Sequence, residues 1–194
     1  MNTDATIGEL SRWTAPDAEQ DALRHTYLAF ADAVPNPAER ACVPGHFTAS
    51  VILFDASGTH VLLTLHPRVG KWVQLGGHCE PADADLAAAA RREGVEESGL
   101  STLELSASPV HLHTHPITCS LGVPTRHLDV RYAAVVPDVD GGRPAPVRSD
   151  ESDDLAWWPV DALPENADFD TLRPLIAYGR KALTAQRLLP AQRA

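Results

Sequence analysis

The sequence predicts a mixed α/β (α+β) sandwich, a β-sheet held between helices with a helical extension in front of it. Three observations carry this. β-rich runs cluster from His46 to Leu75 and return between Val110 and Val160; one strongly helical segment, around Ala84–Ser98, stands between them; and helical patterns occupy both ends of the chain. Strand and helix alternate too sparsely for a doubly wound sheet. At 194 residues, 44% of them hydrophobic, the chain fills one core rather than two.

Residues 1–44 read as the helical extension. Thr14 with Asp17 has the form of a capping box, Pro16 suits a first turn, and "DALRHTYLAFADAV" follows with apolar spacing near four until Pro35 and Pro37 stop it. A lid, a dimer arm or a packing layer would each produce this pattern, so a homodimer is one expectation. The domain proper is expected over residues 45–185, and residues 186–194 as a tail.

"FTASVILFD" and "HVLLTLH" are β-rich and separated by the turn signal "ASG", which predicts a hairpin; "KWVQL" predicts a third strand ended by Gly76 and Gly77. Asp83 can cap the central helix and Gly99 can supply the left-handed residue past its end. "VHLHTHPI", "RHLDVRYAAVV" and "DLAWWPV" predict further strands. "PDVDGGRPAPVRSDESDD" predicts a loop, and "FDTLRPLIAYGRKAL" a final helix capped by Asp168 or Asp170.

The formal net charge of -10 argues against general nucleic-acid binding, because phosphate backbones are gripped through excess Lys and Arg. A small phosphorylated ligand stays open, since a bound divalent cation reverses the local field. Cys42, Cys79 and Cys119 form no CxxC pair and suit reduced thiols in a cytosol. The N-terminus lacks a basic-then-apolar signal pattern and no apolar run reaches bilayer length. These features predict a cytoplasmic protein that does not enter a membrane.

"RREGVEESGL" gathers Glu93, Glu96 and Glu97 on one helical face. Leu86 and Ala90 share the azimuth of Glu93 and Glu97, so the acids continue a stripe that otherwise faces the core. Burying carboxylates there costs several kcal/mol unless something compensates, and acids at a helix C-terminus also oppose its dipole. Clustered carboxylates are what hard Mg²⁺ or Mn²⁺ ions prefer; a solvated face neutralised by Arg91 and Arg92 is the alternative.

The segment Gly76–Leu100, "GGHCEPADADLAAAARREGVEESGL", resembles the Nudix box, the loop–helix–loop signature of hydrolases that cleave nucleoside diphosphates linked to another moiety. Arg92, Glu93, Glu96, Glu97, Gly99 and Leu100 match its second half. Two positions depart from it. Asp83 stands where the family has Glu and is followed by one extra residue before Arg92, and Gly94 replaces an apolar side chain.

The resemblance implies a Nudix-like mixed sheet between helices and Mg²⁺- or Mn²⁺-dependent hydrolysis of a phosphoanhydride bond in a small phosphorylated substrate. It implies Glu93, Glu96, Glu97 and the carbonyl of Gly77 as metal ligands, with Arg92 orienting a glutamate through a bidentate pair. Glu93 and Glu151 are the candidates for general base. Arg68 and Lys71, just before the box, could reach phosphates, and Arg126 and Arg131 are weaker candidates. Trp72 could stack a base or pack in the core; Trp157 and Trp158 are expected to alternate between core and surface. His78 and Cys79 adjoin the box glycines.

His111, His113 and His115 share one strand face and could bind a transition metal or relay protons, although a half-exposed polar face gives the same pattern. A non-catalytic nucleotide-binding regulatory module is the reading from another class. Isomerisation of a prenyl diphosphate also occurs on this fold, but no paired cysteine and acid of that chemistry stands out.

Overall fold

The computed structural model describes residues 3–118 and 122–191. Two helices, α1 (Thr3–Arg12) and α2 (Ala18–Ala33), precede the sheet. The extension is thus two helices, and α2 is capped by Asp17, whose carboxylate accepts from Gln20 N–H at 2.9 Å. Thr14 is not the cap.

The sheet contains β1 (His46–Asp55), β2 (His60–His66), β3 (Lys71–Val73), β4 (Leu75–His78), β5 (Glu104–Leu105), β6 (His111–Thr118), β7 (Pro124–Val136) and β8 (Asp154–Pro159). Its spine runs β3-β2-β1-β7-β5, with β4 also on β1, β6 on β7 and β8 on β2. β1 lies parallel to β7 from His46↔His127 to Asp55↔Val136. On its other side β1 is antiparallel to β4 near its start and to β2 near its end, so the sheet splays around one central strand.

The run expected as one strand after Lys71 is split. Gly76 and Gly77 do not end it but lie within β4, opposite Ser50 and Ala49 of β1, because their bare backbones can approach both β1 and the helix above.

Period-2 alternation divides the core. Phe47, Ala49, Val51 and Leu53 face α1, α2 and the central helix α3 (Leu86–Ser98), together with Leu10, Trp13, Tyr27 and Leu86. Ile52 and Phe54 face α4 (Phe169–Ala185), together with Leu172, Leu175 and Ile176. The helical extension is therefore built into the first core. The Gln20 side chain accepts from Leu112 N–H at 2.6 Å and donates to Leu112 C=O at 3.1 Å, and the fully buried Tyr27 donates to His113 C=O at 2.7 Å.

Helix α3 starts at Asp85, not Asp83: the Asp85 carboxylate accepts from Ala88 N–H at 2.8 Å. The residue additional to the box spacing is absorbed in the turn before the helix, leaving the phase from Arg92 to Glu97 intact. Gly99 at φ 69° ends the helix. Gly94 marks a close approach of α3 to β1, where a Cβ would stand 2.8 Å from Val51 Cγ1 and 3.0 Å from Leu103 Cδ1. The position holds glycine because an apolar side chain has no room.

Gly94→Ala gains up to about 1 kcal/mol of helix propensity but overpacks this contact, which costs about 1–3 kcal/mol. A net loss of roughly 1 kcal/mol is expected, read as a lower Tm; a raised Tm would contradict the contact.

Candidate active site

The buried residues of α3 are Leu86, Ala89, Ala90, Glu93, Gly94, Glu97 and Ser98, so two of the three glutamates continue the core-facing stripe. Glu93 and Glu97 are each 9% exposed, whereas the Glu96 side chain is 58% exposed. Both buried carboxylates meet the glycines of β4. Gly76 N–H donates to Glu97 Oε2 at 2.9 Å, and a Cβ on Gly77 would lie 2.6 Å from Glu93 Oε1. A side chain there would displace the Glu93 carboxylate.

Arg92 ties the loop to the helix. Its Nε and Nη2 fork onto the two oxygens of Asp83, each at 3.0 Å; Nη1 donates to Glu93 Oε1 at 3.0 Å and Glu96 Oε2 at 2.9 Å; and Nη2 also donates to His78 C=O at 2.9 Å. The bidentate partner of Arg92 is Asp83 rather than a glutamate. Burial pushes the Asp83 carboxyl up, but Arg92 and the Glu80 N–H outweigh it and hold it below the usual range. The aspartate at the departing box position thus anchors the arginine.

The two buried glutamates move the other way. Burial foremost, then the charges of Glu93, Glu151 and Glu96, push Glu97 up to about 8 against the opposing Gly76 N–H. Burial raises Glu93 too, opposed by Arg92 and reinforced by Glu96 and Glu151. Buried carboxylates of one sign converging on a glycine strand form an oxygen-rich cradle suited to a hard divalent cation.

A family model described as NUDIX domain matches residues 44–178. The chain belongs to the NUDIX domain family. The solved structures agree in fold. A C. elegans Ap4A hydrolase binary complex is 20% identical at TM-score 0.52, with 72% of this chain and 98% of that chain covered. The E. coli dihydroneopterin triphosphate pyrophosphohydrolase is 17% identical at TM-score 0.52, covering 71% and 95%. The NUDIX domain of Shewanella oneidensis NrtR complexed with ADP ribose is 22% identical at TM-score 0.50, covering 82% and 97%. No curated protein matches. Among the described residues no helix is long and apolar enough to cross a membrane.

Outside the NUDIX box, Glu151 lies on the loop between β7 and β8, which returns to α3. Val147 N–H donates to Ser98 C=O at 2.7 Å, Val147 packs on Gly99, and Thr64 Oγ1 donates to Ser152 Oγ at 2.6 Å. These contacts bring the charge of Glu151 to bear on both buried glutamates.

The other expected contacts sort differently. Arg68 is exposed in the turn between β2 and β3. The Lys71 ammonium is held by Asp168 at 2.9 Å; Asp168 occupies the N-cap of α4 but spends its carboxylate on Lys71 and Thr171. Trp72 is 6% exposed and set edge-on to Trp158, which leaves it no free face for a base. Trp157 and Trp158 pack partly buried against opposite cores instead of alternating between core and surface. Arg126 is exposed and donates to Thr114 Oγ1 at 3.3 Å. Cys79 is pushed up to about 12, chiefly by burial, so its thiol stays protonated. Cys119 lies outside the described residues.

One face near the start of β1 is polar and buried. Asp129 accepts from Thr48 at 3.1 Å, Ser50 at 2.6 Å and Arg131 Nε at 2.7 Å, and Arg131 Nη2 lies 3.1 Å from His113 Nδ1. Arg131 is thus occupied by a buried ion pair. His111, His113 and His115 share this face as their spacing predicts. Their rings continue through His127 to His46 and His78, neighbouring centroids lying 5.0–6.4 Å apart. Sequence reading notes His78 only beside the box glycines and does not join it to His46 and His127; the three sit far apart along the chain and are brought together by strand register.

Proposed function

We propose that the protein is a Mg²⁺- or Mn²⁺-dependent pyrophosphohydrolase that cleaves a phosphoanhydride bond in a nucleotide-derived or other nucleoside-diphosphate-linked small molecule. The observation that carries this reading is the pair of buried glutamates on the β4 glycines, with burial and the neighbouring carboxylates raising Glu97 to about 8. Glu93, Glu96, Glu97 and the carbonyl of Gly77 would hold the ion. When bound, it polarises a phosphoryl oxygen and lowers the pKa of a water. Arg92 holds Glu93 against the glycine strand and keeps Glu96 beside it. Glu151 is assigned as general base, because Glu93 is committed to Arg92 and the ion whereas the exposed Glu151 has oxygens free of that duty. Of the two basic residues expected before the box, Lys71 is held by Asp168, so Arg68 is assigned the contact with substrate phosphate. The domain runs over residues 45–185, with residues 1–44 as its helical extension and 186–194 as its tail.

The test is a panel of nucleoside triphosphates, dinucleoside polyphosphates, ADP-ribose and nucleotide sugars with Mg²⁺ or Mn²⁺, with products analysed. The Ap4A and dihydroneopterin triphosphate hydrolases among the structural neighbours support beginning with polyphosphates. Glu151→Gln is expected to lower kcat by about 10²-fold or more, the range of a general base, while changing stability by no more than about 0.5 kcal/mol, as for other surface substitutions. An unchanged kcat would pass that role to Glu93. A second reading, a regulatory binding module, is favoured by the likeness to an ADP-ribose-bound NUDIX domain; a ligand that raises Tm without turnover would support it.

A further inference from the structure

The geometry points to a second metal site, distinct from the glutamates, in which His46, His78 and His127 bind one zinc-class transition-metal ion and leave a fourth position open. The three come from adjacent strands: His46 pairs with His127 across the parallel β1–β7 ladder, and His78 of β4 lies opposite Thr48, two residues along the same face. One ligand atom from each imidazole lies within 4.8 Å of the others. The rings form a nearly equilateral triangle with centroid separations of 5.1, 5.0 and 5.0 Å. Tetrahedral zinc, with Zn–N of about 2.0–2.1 Å, requires N···N of roughly 3.3 Å, so modest ring rotations close the site.

Two of the three rings offer a lone pair. His46 Nδ1 lies 3.4 Å from Cys42 C=O, a contact that calls for the proton on Nδ1 and leaves Nε2 as an acceptor. The Nε2 atoms of His46 and His127 are buried and have no hydrogen-bond partner among the described residues. Burial foremost, with neighbouring positive charge, holds His46 and His127 below their ordinary range, His127 at about 4. They are therefore neutral at pH 7, the form that binds metals. Imidazole nitrogen suits zinc, copper or nickel while carboxylate oxygen suits magnesium, so the two sites sort their ions by ligand chemistry.

A cation already approaches the trio. Arg40 Nη2 lies 2.7 Å from His78 Nδ1, and its charge also bears on His46 and His127. Metal binding requires this guanidinium to leave and His78 to present a lone pair. Arg40 is exposed on the segment before β1 and can swing away.

The experiment is titration of chelator-treated full-length protein with Co²⁺. Expected are intense visible bands of a tetrahedral nitrogen-rich site, saturating at one ion per chain and bleached by Zn²⁺. Glu97→Gln should keep the bands. His127→Gln and His78→Gln should weaken binding at least about tenfold, the scale on which metal-site substitutions act, and Arg40→Ala should tighten it several-fold. Weak octahedral absorption alone, or bands lost in Glu97→Gln and kept in folded His127→Gln, would overturn the site. If circular dichroism finds the histidine variants unfolded, Glu97→Gln and Arg40→Ala decide: lost colour in the first or unchanged affinity in the second rejects it.

Discussion

Glu97→Gln is expected to abolish turnover, a loss of roughly 10³-fold or more, the scale on which removing one preorganised stabilising group acts, while the protein stays folded. Glutamine keeps an oxygen for the Gly76 N–H now 2.9 Å from Glu97 and removes only the charge. In the metal-free protein that charge is a burden. The folded-state pKa, about 8, lies above the ordinary glutamate value of 4.5, so the folded state holds the proton more tightly than the unfolded chain does. Stability therefore falls as pH rises from about 4.5 to about 8 and is level above that, at about 1.4 kcal/mol per pH unit.

The glutamine variant lacks this loss, so its Tm should exceed that of the metal-free parent by a margin that widens up to about pH 8. Saturating Mg²⁺ should raise the parent's Tm and not the variant's, because only the parent offers a complete set of carboxylates. Equal turnover in the two proteins would reject the metal role of Glu97, whatever the Tm values.

The second large effect is acid unfolding driven by the imidazole array. His78 and His111 are lowered to about 3 and His113 and His127 to about 4, in each case chiefly by burial, and His46 and His115 are lowered too. Each folded-state pKa lies below the ordinary histidine value of 6.5, so below that pH the unfolded chain takes up protons that the folded one refuses. Stability is full above about 6.5 and declines as pH falls. Each imidazole contributes about 1.4 kcal/mol per pH unit, so the four most depressed together cost roughly 5 kcal/mol per unit against a typical total stability of about 5–15 kcal/mol.

Glu97, with Glu93 and Glu9 shifted in the same direction by burial, opposes this and is outnumbered by the six imidazoles. Metal-free protein is expected to lose its circular dichroism cooperatively between about pH 4.5 and 6, with these six side chains not titrating before it unfolds. A Tm unchanged between pH 7 and pH 5 would contradict the buried array.

What could be read from the sequence and what could not divide along physical lines. The acidic stripe was legible because helical spacing alone decides that Glu93 and Glu97 follow Leu86 and Ala90 onto the buried face. The long strands were legible from β-branched, alternating runs. The two glycines of β4 were misread as a stop because their role depends on what approaches them, a neighbouring strand and two carboxylates, and no local pattern encodes that. Asp83 was misread as a cap for the same reason, since its partner Arg92 lies beyond the turn. β5 is two residues long, too short for any periodicity. The trio of His46, His78 and His127 is a product of register, and register appears only when the strands are laid side by side.

The double hydrogen bond of Gln20 to Leu112 has a wider consequence. β6 is bonded to β7 on one side, and a side-chain amide from α2 meets the polar backbone of its other side much as a neighbouring strand would. Exposed strand edges recruit other chains, so the first forty residues act as a guard against self-association as well as a filling for the core. A chain shortened to begin at Gly45 would bare both an apolar sheet face and an unsated strand, and its failure would be one of solubility before it was one of chemistry.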